Sequence, residues 1–275
     1  AVLAARPDSL AAGNPAAEAQ RMAHLASVGA EADGAWAELE TALEAVRDEG
    51  RQGAALIVEG SDPPQQPLLG AADRLANASA LAAAAGVAER RLRGTLASAR
   101  PDQAGLIPAG LPTPGDLASI ASQLRSAAEA AGPFLERRHA SEETLTELGI
   151  ALAALDDDDL AAARQALDRA DAARQVLVDW QQPPVTLALW LETTGRMIDA
   201  ALALVDASEA GDAAAARAAA DAYAAAAEDA TRADVSLALS LSETGAGLTS
   251  VPLQRLAEAL AAISEARAAA ASLQG

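Results

Sequence analysis

LASIASQLRSAAEAAGPFLERRHASEETLTELGIALAAL, residues 117–155, carries Leu117, Ile120, Leu124, Ala127, Ala131, Phe134, Arg138, Ser141, Leu145, Leu148, Leu152 and Leu155 at alternating steps of three and four. A helix that turns once per 3.6 residues gathers such positions on one stripe. The stretch therefore predicts an amphipathic helix whose stripe faces partner helices along its length. The register passes through Gly132-Pro133 unshifted. A true break would free the downstream phase, so a kinked but continuous helix of about 40 residues is expected.

The same alternation runs through Met22, Leu25, Gly29, Ala32, Trp36, Leu39, Leu43 and Val46, in a segment from about Pro15 to Glu49 with Asn14 as its cap. That is a second heptad seam, roughly 50 Å long at the helical rise. Gly50 and Gly53 interrupt it, and Ala54-Ala55-Leu56-Ile57-Val58 is the one short apolar run that could form a strand, without an obvious pairing partner. Ser61 to Pro67 reads as a loop because its prolines remove amide donors and force extended backbone. A helix carrying Leu75, Leu81, Val87, Leu92 and Leu96 follows, from about Leu68 to Ala99.

Arg100 to Gly115 contains Pro101, Pro108, Pro112 and Pro114 and reads as a linker. After the long 117–155 segment, helices are expected from about Leu160 to Trp180, Val185 to Ala207 and Gly211 to Thr244, with a last one opening at Val251-Pro252. The fold class is thus all-α: an elongated bundle of six or seven long, Ala-rich amphipathic helices with coiled-coil-like packing. The expected organisation is a flexible segment over 1–14, a helical hairpin over 15–99, a linker over 100–115 and a bundle over 116–275, the last forming one continuous domain with the hairpin in the alternative division.

An internal echo adds a duplicated helical hairpin as an option. Leu187 to Gly195 and Leu237 to Gly245 share LALxLxxTG at an offset of 50, and Asp159 with Ala161 to Arg164 matches Asp212 with Ala214 to Arg217 at an offset of 53.

Composition narrows the function more than it defines it. The apolar fraction of 51% is mostly Ala, the best helix former, and aromatic residues are confined to Trp36, Phe134, Trp180, Trp190 and Tyr223. All 20 basic side chains are Arg, against 39 acids, for a net charge of −19. Such an excess repels phosphate backbones, so neither nucleic acid nor a direct contact with anionic membrane is expected. Arg90, Arg91 and Arg93, with Glu89 beside them, read as a solvated face. With no Cys there is no disulfide framework, thiol catalysis or Cys-ligated metal. No run approaches the ~18 apolar residues of a membrane span. Ala1 to Ala5, before a Pro- and Gly-bearing stretch, fits the start of a chain released from a signal peptide or anchor.

Chemistry-bearing constellations are few. His24 and His139 stand alone on different predicted helices, and neither GxGxxG nor GxxxxGKS/T occurs. Asp156 to Asp159 lack the spacing of an EF-hand loop and read as a helix end followed by an N-cap. Leu191 to Gly195 lacks the proline and position of a sortase signal, and Asn77-Ala78-Ser79 is a sequon only by its brevity. Trp36, Trp180 and Trp190, large rings in an Ala-lined interior, either fill space or line a small apolar or aromatic ligand pocket. Gly211-Asp212, Ala216-Arg217 and Tyr223 depart from a tetratricopeptide pair in their aromatic and proline positions. The tract from Leu160 to Arg232 is loosely similar to the helical region that follows the barrel of bacterial hyaluronidase-like glycosidases; with no barrel here, that resemblance implies a non-catalytic module.

The expectation is a non-catalytic interaction, assembly or sensing domain, without cofactor or metal, engaging a protein partner or itself as the extracytoplasmic part of a secreted or membrane-anchored bacterial protein. The rival readings are a ligand-binding helical protein or enzyme with its pocket near Trp180 and Trp190, and a cytoplasmic scaffold or particle subunit.

Overall fold

A computed structural model describes residues 15–59, 65–99, 111–181 and 183–272, so the expected segment 1–14, most of the expected linker and Asn14 lie outside the described residues. Six helices account for nearly all of it: α1 (Pro15–Glu59), α2 (Gln65–Ala99), α3 (Pro114–Asp156), α4 (Leu160–Val178), α5 (Leu187–Glu209) and α6 (Ala213–Ser272). No strand occurs among the described residues, and no helix is long and apolar enough to cross a membrane.

The Ala54 to Val58 run is helical, not a strand, because Gly50 and Gly53 continue the seam instead of ending it. Val46, Gly50, Gly53 and Ile57 are all buried, at steps of four, three and four. A Cβ on Gly50 would lie 2.8 Å from Leu253 Cδ2, and one on Gly53 would lie 2.8 Å from Leu75 Cγ. At both glycines a neighbouring leucine fills the space a side chain would take, and the missing side chain is what permits it. Helix α2 starts at Gln65 instead of Leu68, with Pro67 in the first turn, where the amide would lack a helical partner anyway.

The expected break at Val251-Pro252 is absent. Helix α6 runs 60 residues with Pro252 inside it. Thr249, Pro252, Leu256, Ala259, Ile263 and Ala266 are all buried at alternating steps of three and four. An internal proline costs about 3 kcal/mol; burial of this stripe on both sides of it offsets that cost. Pro133 is likewise inside α3, as the unshifted register predicted.

The chain divides into two compact units whose boundaries fall within helices and not at residues 100–115. The first takes α1 as far as Leu56, α2 from Leu69, α3 as far as Ala130 and α6 from Thr249; the second takes 57–68 and 131–248. Long helices make this possible, since a unit is set by which helices are neighbours at a given level.

In the first unit, Arg74 pairs with Glu49 (3.1 Å) and Arg91 with Glu38 (3.0 Å), so α1 and α2 are antiparallel. Ser79 donates to the Ala121 carbonyl (2.7 Å) and Arg93 to that of Pro112 (3.2 Å), which sets α3 antiparallel to α2. Arg255 reaches Ser119 (3.0 Å) and Arg267 pairs with Glu40, closing the ring through α6. This is an up-down-up-down four-helix arrangement. The sequon is part of it: Ser79 is buried in mid-helix.

The second unit repeats the layout with α3, α4, α5 and α6. Arg169 pairs with Glu147 (2.8 Å), Arg164 with Asp206 (2.5 Å) and Arg196 with Asp229 (3.3 Å), each tying antiparallel neighbours. Leu148, Ala151, Ala163, Leu167, Met197, Ile198, Ala201 and Val205 form its core, with Leu145, Leu155 and Tyr223 packed partly buried against it. Beyond Phe134 the α3 stripe shifts to one side of the heptad line, keeping Ser141 and Leu148 buried. Thr144 and Ala151 are buried, whereas Leu145 and Leu152 are half-buried. Thr144 and Ala151 lie on the Glu147 side of the helix, where α4 docks. Arg138, a seam position, donates from Nη1 to the carbonyls of Ile57 (3.0 Å) and Val58 (2.8 Å) and so satisfies the last turn of α1.

The aspartate run is a turn. Asp156 ends α3, and the Asp159 side chain accepts from the Ala162 N–H as the N-cap of α4 (3.0 Å). All four aspartates are exposed. Asp159 N–H reaches Ala154 O (2.8 Å) and Asp158 N–H reaches Leu155 O (3.2 Å), a Schellman pair.

The LALxLxxTG echo is not a repeated hairpin. Its first copy is α4, a turn and α5; its second lies within uninterrupted α6.

Candidate ligand pocket between α2 and α3

The start of α3 is fixed by a reciprocal cap. Thr113 N–H and Oγ1–H both donate to Asp116 Oδ2 (2.8 Å each), and Asp116 N–H donates to Thr113 Oγ1 (3.1 Å). The Thr113 amide, then its hydroxyl, holds the Asp116 carboxyl below the usual carboxylate range.

The end of α2 is held against this segment by an ion pair that the sequence does not announce. Glu89 is wholly buried, and Arg93 pairs with it while donating to the carbonyls of Leu111 (3.4 Å) and Pro112 (3.2 Å). The charge run is therefore only partly a solvated face: Arg90 and Arg91 are exposed, but Glu89 and Arg93 lock helix to loop. Glu89 Oε2 has no partner, so removing Arg93 would strand a buried carboxylate.

Beside this lock lies a cavity of about 280 Å³. Small residues line it, Ala82 and Gly86 on α2 and Ala118 and Ala121 on α3, and leave room where Leu would fill it. Arg90, Arg125 and the Ser122 hydroxyl line it, and Pro114 at the first turn of α3 completes it. No carboxylate is among the lining residues. Most arginines of the described residues are engaged with a carboxylate, a carbonyl, a hydroxyl or a ring. Arg90 and Arg125 have no such partner there.

The three tryptophans do not line this cavity. Trp36 is buried on the α1 seam of the first unit. Trp190 is fully buried in the second unit and its indole N–H donates to Asp234 Oδ1 (3.3 Å), so the ring fills space with its polar atom satisfied. Trp180 is half-buried, edge-on to Phe134 (6.3 Å between centroids) and under the Arg137 guanidinium (5.4 Å). Trp180 and Trp190 thus sit in separate environments. His139 is on the α3 surface with Nε2 3.9 Å from Glu143; the side chain of His24 lies outside the described residues.

Nothing in the sequence joins Arg90 to Arg125: they lie on different helices, Arg90 reads as part of a solvated face and Arg125 looks like an ordinary surface charge. Comparison of the chain with protein-family models, with curated proteins and with solved structures finds no match in any of the three.

Proposed function

We propose that the chain is a non-catalytic helical module that works through protein contact, in interaction, assembly or sensing, as the extracytoplasmic part of a secreted or membrane-anchored bacterial protein. The observation that supports this reading is a set of apolar side chains turned outward on one pair of helices. Val185 (96% exposed) lies in the turn just before α5 and Leu189 (54%) in the first turn of α5, while Val235 (58%) and Leu239 (63%) stand on α6. The Trp190–Asp234 and Arg196–Asp229 contacts set the register of this antiparallel pair. Leu189 is thereby level with Val235. Grouped exposed apolar side chains of this kind mark contact surfaces on otherwise polar proteins.

A net charge of −19 opposes association of two copies, so any self-contact through this surface strengthens as salt shortens the Debye length. Sedimentation velocity at low and high salt tests the reading. The expected result is concentration-dependent association that rises with salt and is lost in Leu189→Glu and Leu239→Glu. A chain that stays monomeric at all concentrations and salts, with the variants indistinguishable from it, would overturn self-association through this surface.

A further inference from the structure

We propose that the α2/α3 cavity binds a small oxyanion, a carboxylate or phosphate group, between the guanidinium groups of Arg90 and Arg125. This deepens the sensing side of the function proposed above and rests on that reading, but it stands on different residues in the other unit. In a chain with 39 acids and 20 arginines, an arginine finds a carboxylate easily. Arg90 and Arg125 line one cavity and neither does so among the described residues.

The rest of the cavity fits the same chemistry. Ser122, a further lining residue, carries a hydroxyl that can donate to an oxyanion. Arginine's planar fork matches the paired oxygens of carboxylate and phosphate, which favours these groups over a spherical anion. Ala82, Ala118 and Ala121 offer an apolar surface for a short aliphatic part. A volume of about 280 Å³ is enough for a small molecule or headgroup. The overall charge of the chain repels anions, so binding depends on these two side chains and weakens with salt.

The test is an NMR titration of the full chain in low-salt buffer, following arginine Nε–Hε signals, with inorganic phosphate in one arm and succinate in the other. Saturable shifts at Arg90 and Arg125 with either anion are expected, and the arm that saturates first identifies the headgroup. Arg90→Gln and Arg125→Gln should each weaken binding about tenfold, the worth of one charge-assisted hydrogen bond. Arg51→Gln and Arg217→Gln remove the same charge from exposed arginines away from the cavity, which like Arg90 and Arg125 have no partner among the described residues, and should leave binding unchanged. All four side chains are exposed, so folding is not at stake. No saturable shift with either anion, or equal weakening by the control variants, overturns the proposal. Sedimentation of the same samples separates the two ideas, since loss of anion binding with association intact removes the ligand and not the protein contact.

Discussion

The two LALxLxxTG copies, one in α5 and one in α6, show how far nine residues determine structure and where they stop. Three positions of the motif behave alike in the two copies. Leu187 and Leu237 are buried, Leu189 and Leu239 are exposed, and Thr194 and Thr244 each return a hydrogen bond to the carbonyl four residues back, at 2.7 Å. At Trp190 against Ser240, Leu191 against Leu241 and Gly195 against Gly245 their burial differs, and outside the motif the chain itself diverges. The first copy follows Pro183-Pro184 and begins a helix, whereas the second is the middle of a 60-residue helix with no proline upstream to interrupt it. Local pattern decides which face is buried; the punctuation around it decides whether the chain turns.

The sharpest difference between the copies is Trp190 against Ser240. Trp190 is fully buried, while Ser240 is only half-buried. Trp190→Ala removes the largest fully buried side chain and leaves Asp234 without its indole donor, so a loss of about 3–5 kcal/mol is expected. Ser240→Ala should stay within about 0.5 kcal/mol. Urea melts of the two variants check this, and comparable losses would mean the copies are packed alike after all.

The closing glycines give the next contrast. A Cβ on Gly195 would be 3.5 Å from Arg174 Nη1, an ordinary contact with the end of a flexible side chain. One on Gly245 would be 3.0 Å from Ile57 Cγ2 and 3.1 Å from the Phe134 ring. Gly245→Ala is therefore expected to lose about 1 kcal/mol net, because crowding exceeds the helix-propensity gain. Gly195→Ala should gain about 0.5–1 kcal/mol from that same propensity. Thermal unfolding of both would show opposite shifts; shifts of the same sign would break the contrast.

What the sequence made legible follows from what each residue competes with. The seams over 22–46 and 117–155 predicted long helices because apolar periodicity is a summed signal that one Gly or Pro does not erase. Gly50, Gly53 and Pro252 were read as breaks because local propensity says so, but tertiary packing across α2 and α6 overrides it in this structure. Leu152, predicted as core from its heptad position, is half-buried because α4 approaches α3 from the Glu147 side. Leu191 is half-buried too, while its neighbour Trp190 takes the interior. The α2/α3 cavity was invisible because it depends on a pairing of helices that periodicity alone does not specify. Glu89 was misread for a similar reason, since its burial is produced by the 111–113 segment folding back onto Arg93.

The smallest expected effects concern the turns that precede α4 and α6, which are built alike 53 residues apart. In both, two amides close a Schellman pair: Asp159 to Ala154 and Asp158 to Leu155 in the first, Asp212 to Ala207 (2.9 Å) and Gly211 to Ser208 (3.0 Å) in the second. Asp159 and Asp212 then cap the next helix through their side chains. The residue before each cap is left-handed, with φ of 60° at Asp158 and 67° at Gly211. Glycine occupies that region without strain, whereas a side chain crowds its own backbone there. Asp158→Gly should therefore raise stability by about 0.5 kcal/mol, the relief of strain being partly offset by glycine's greater freedom in the unfolded chain. Gly211→Ala should lower it by about 1 kcal/mol. Removing a negative charge from a chain at −19 also relieves repulsion, so Asp157→Ala is the control and should stay within about 0.5 kcal/mol. Denaturant midpoints at constant slope decide the matter. If Asp157→Ala matches Asp158→Gly, the gain is electrostatic and the left-handed geometry of the first turn contributes nothing.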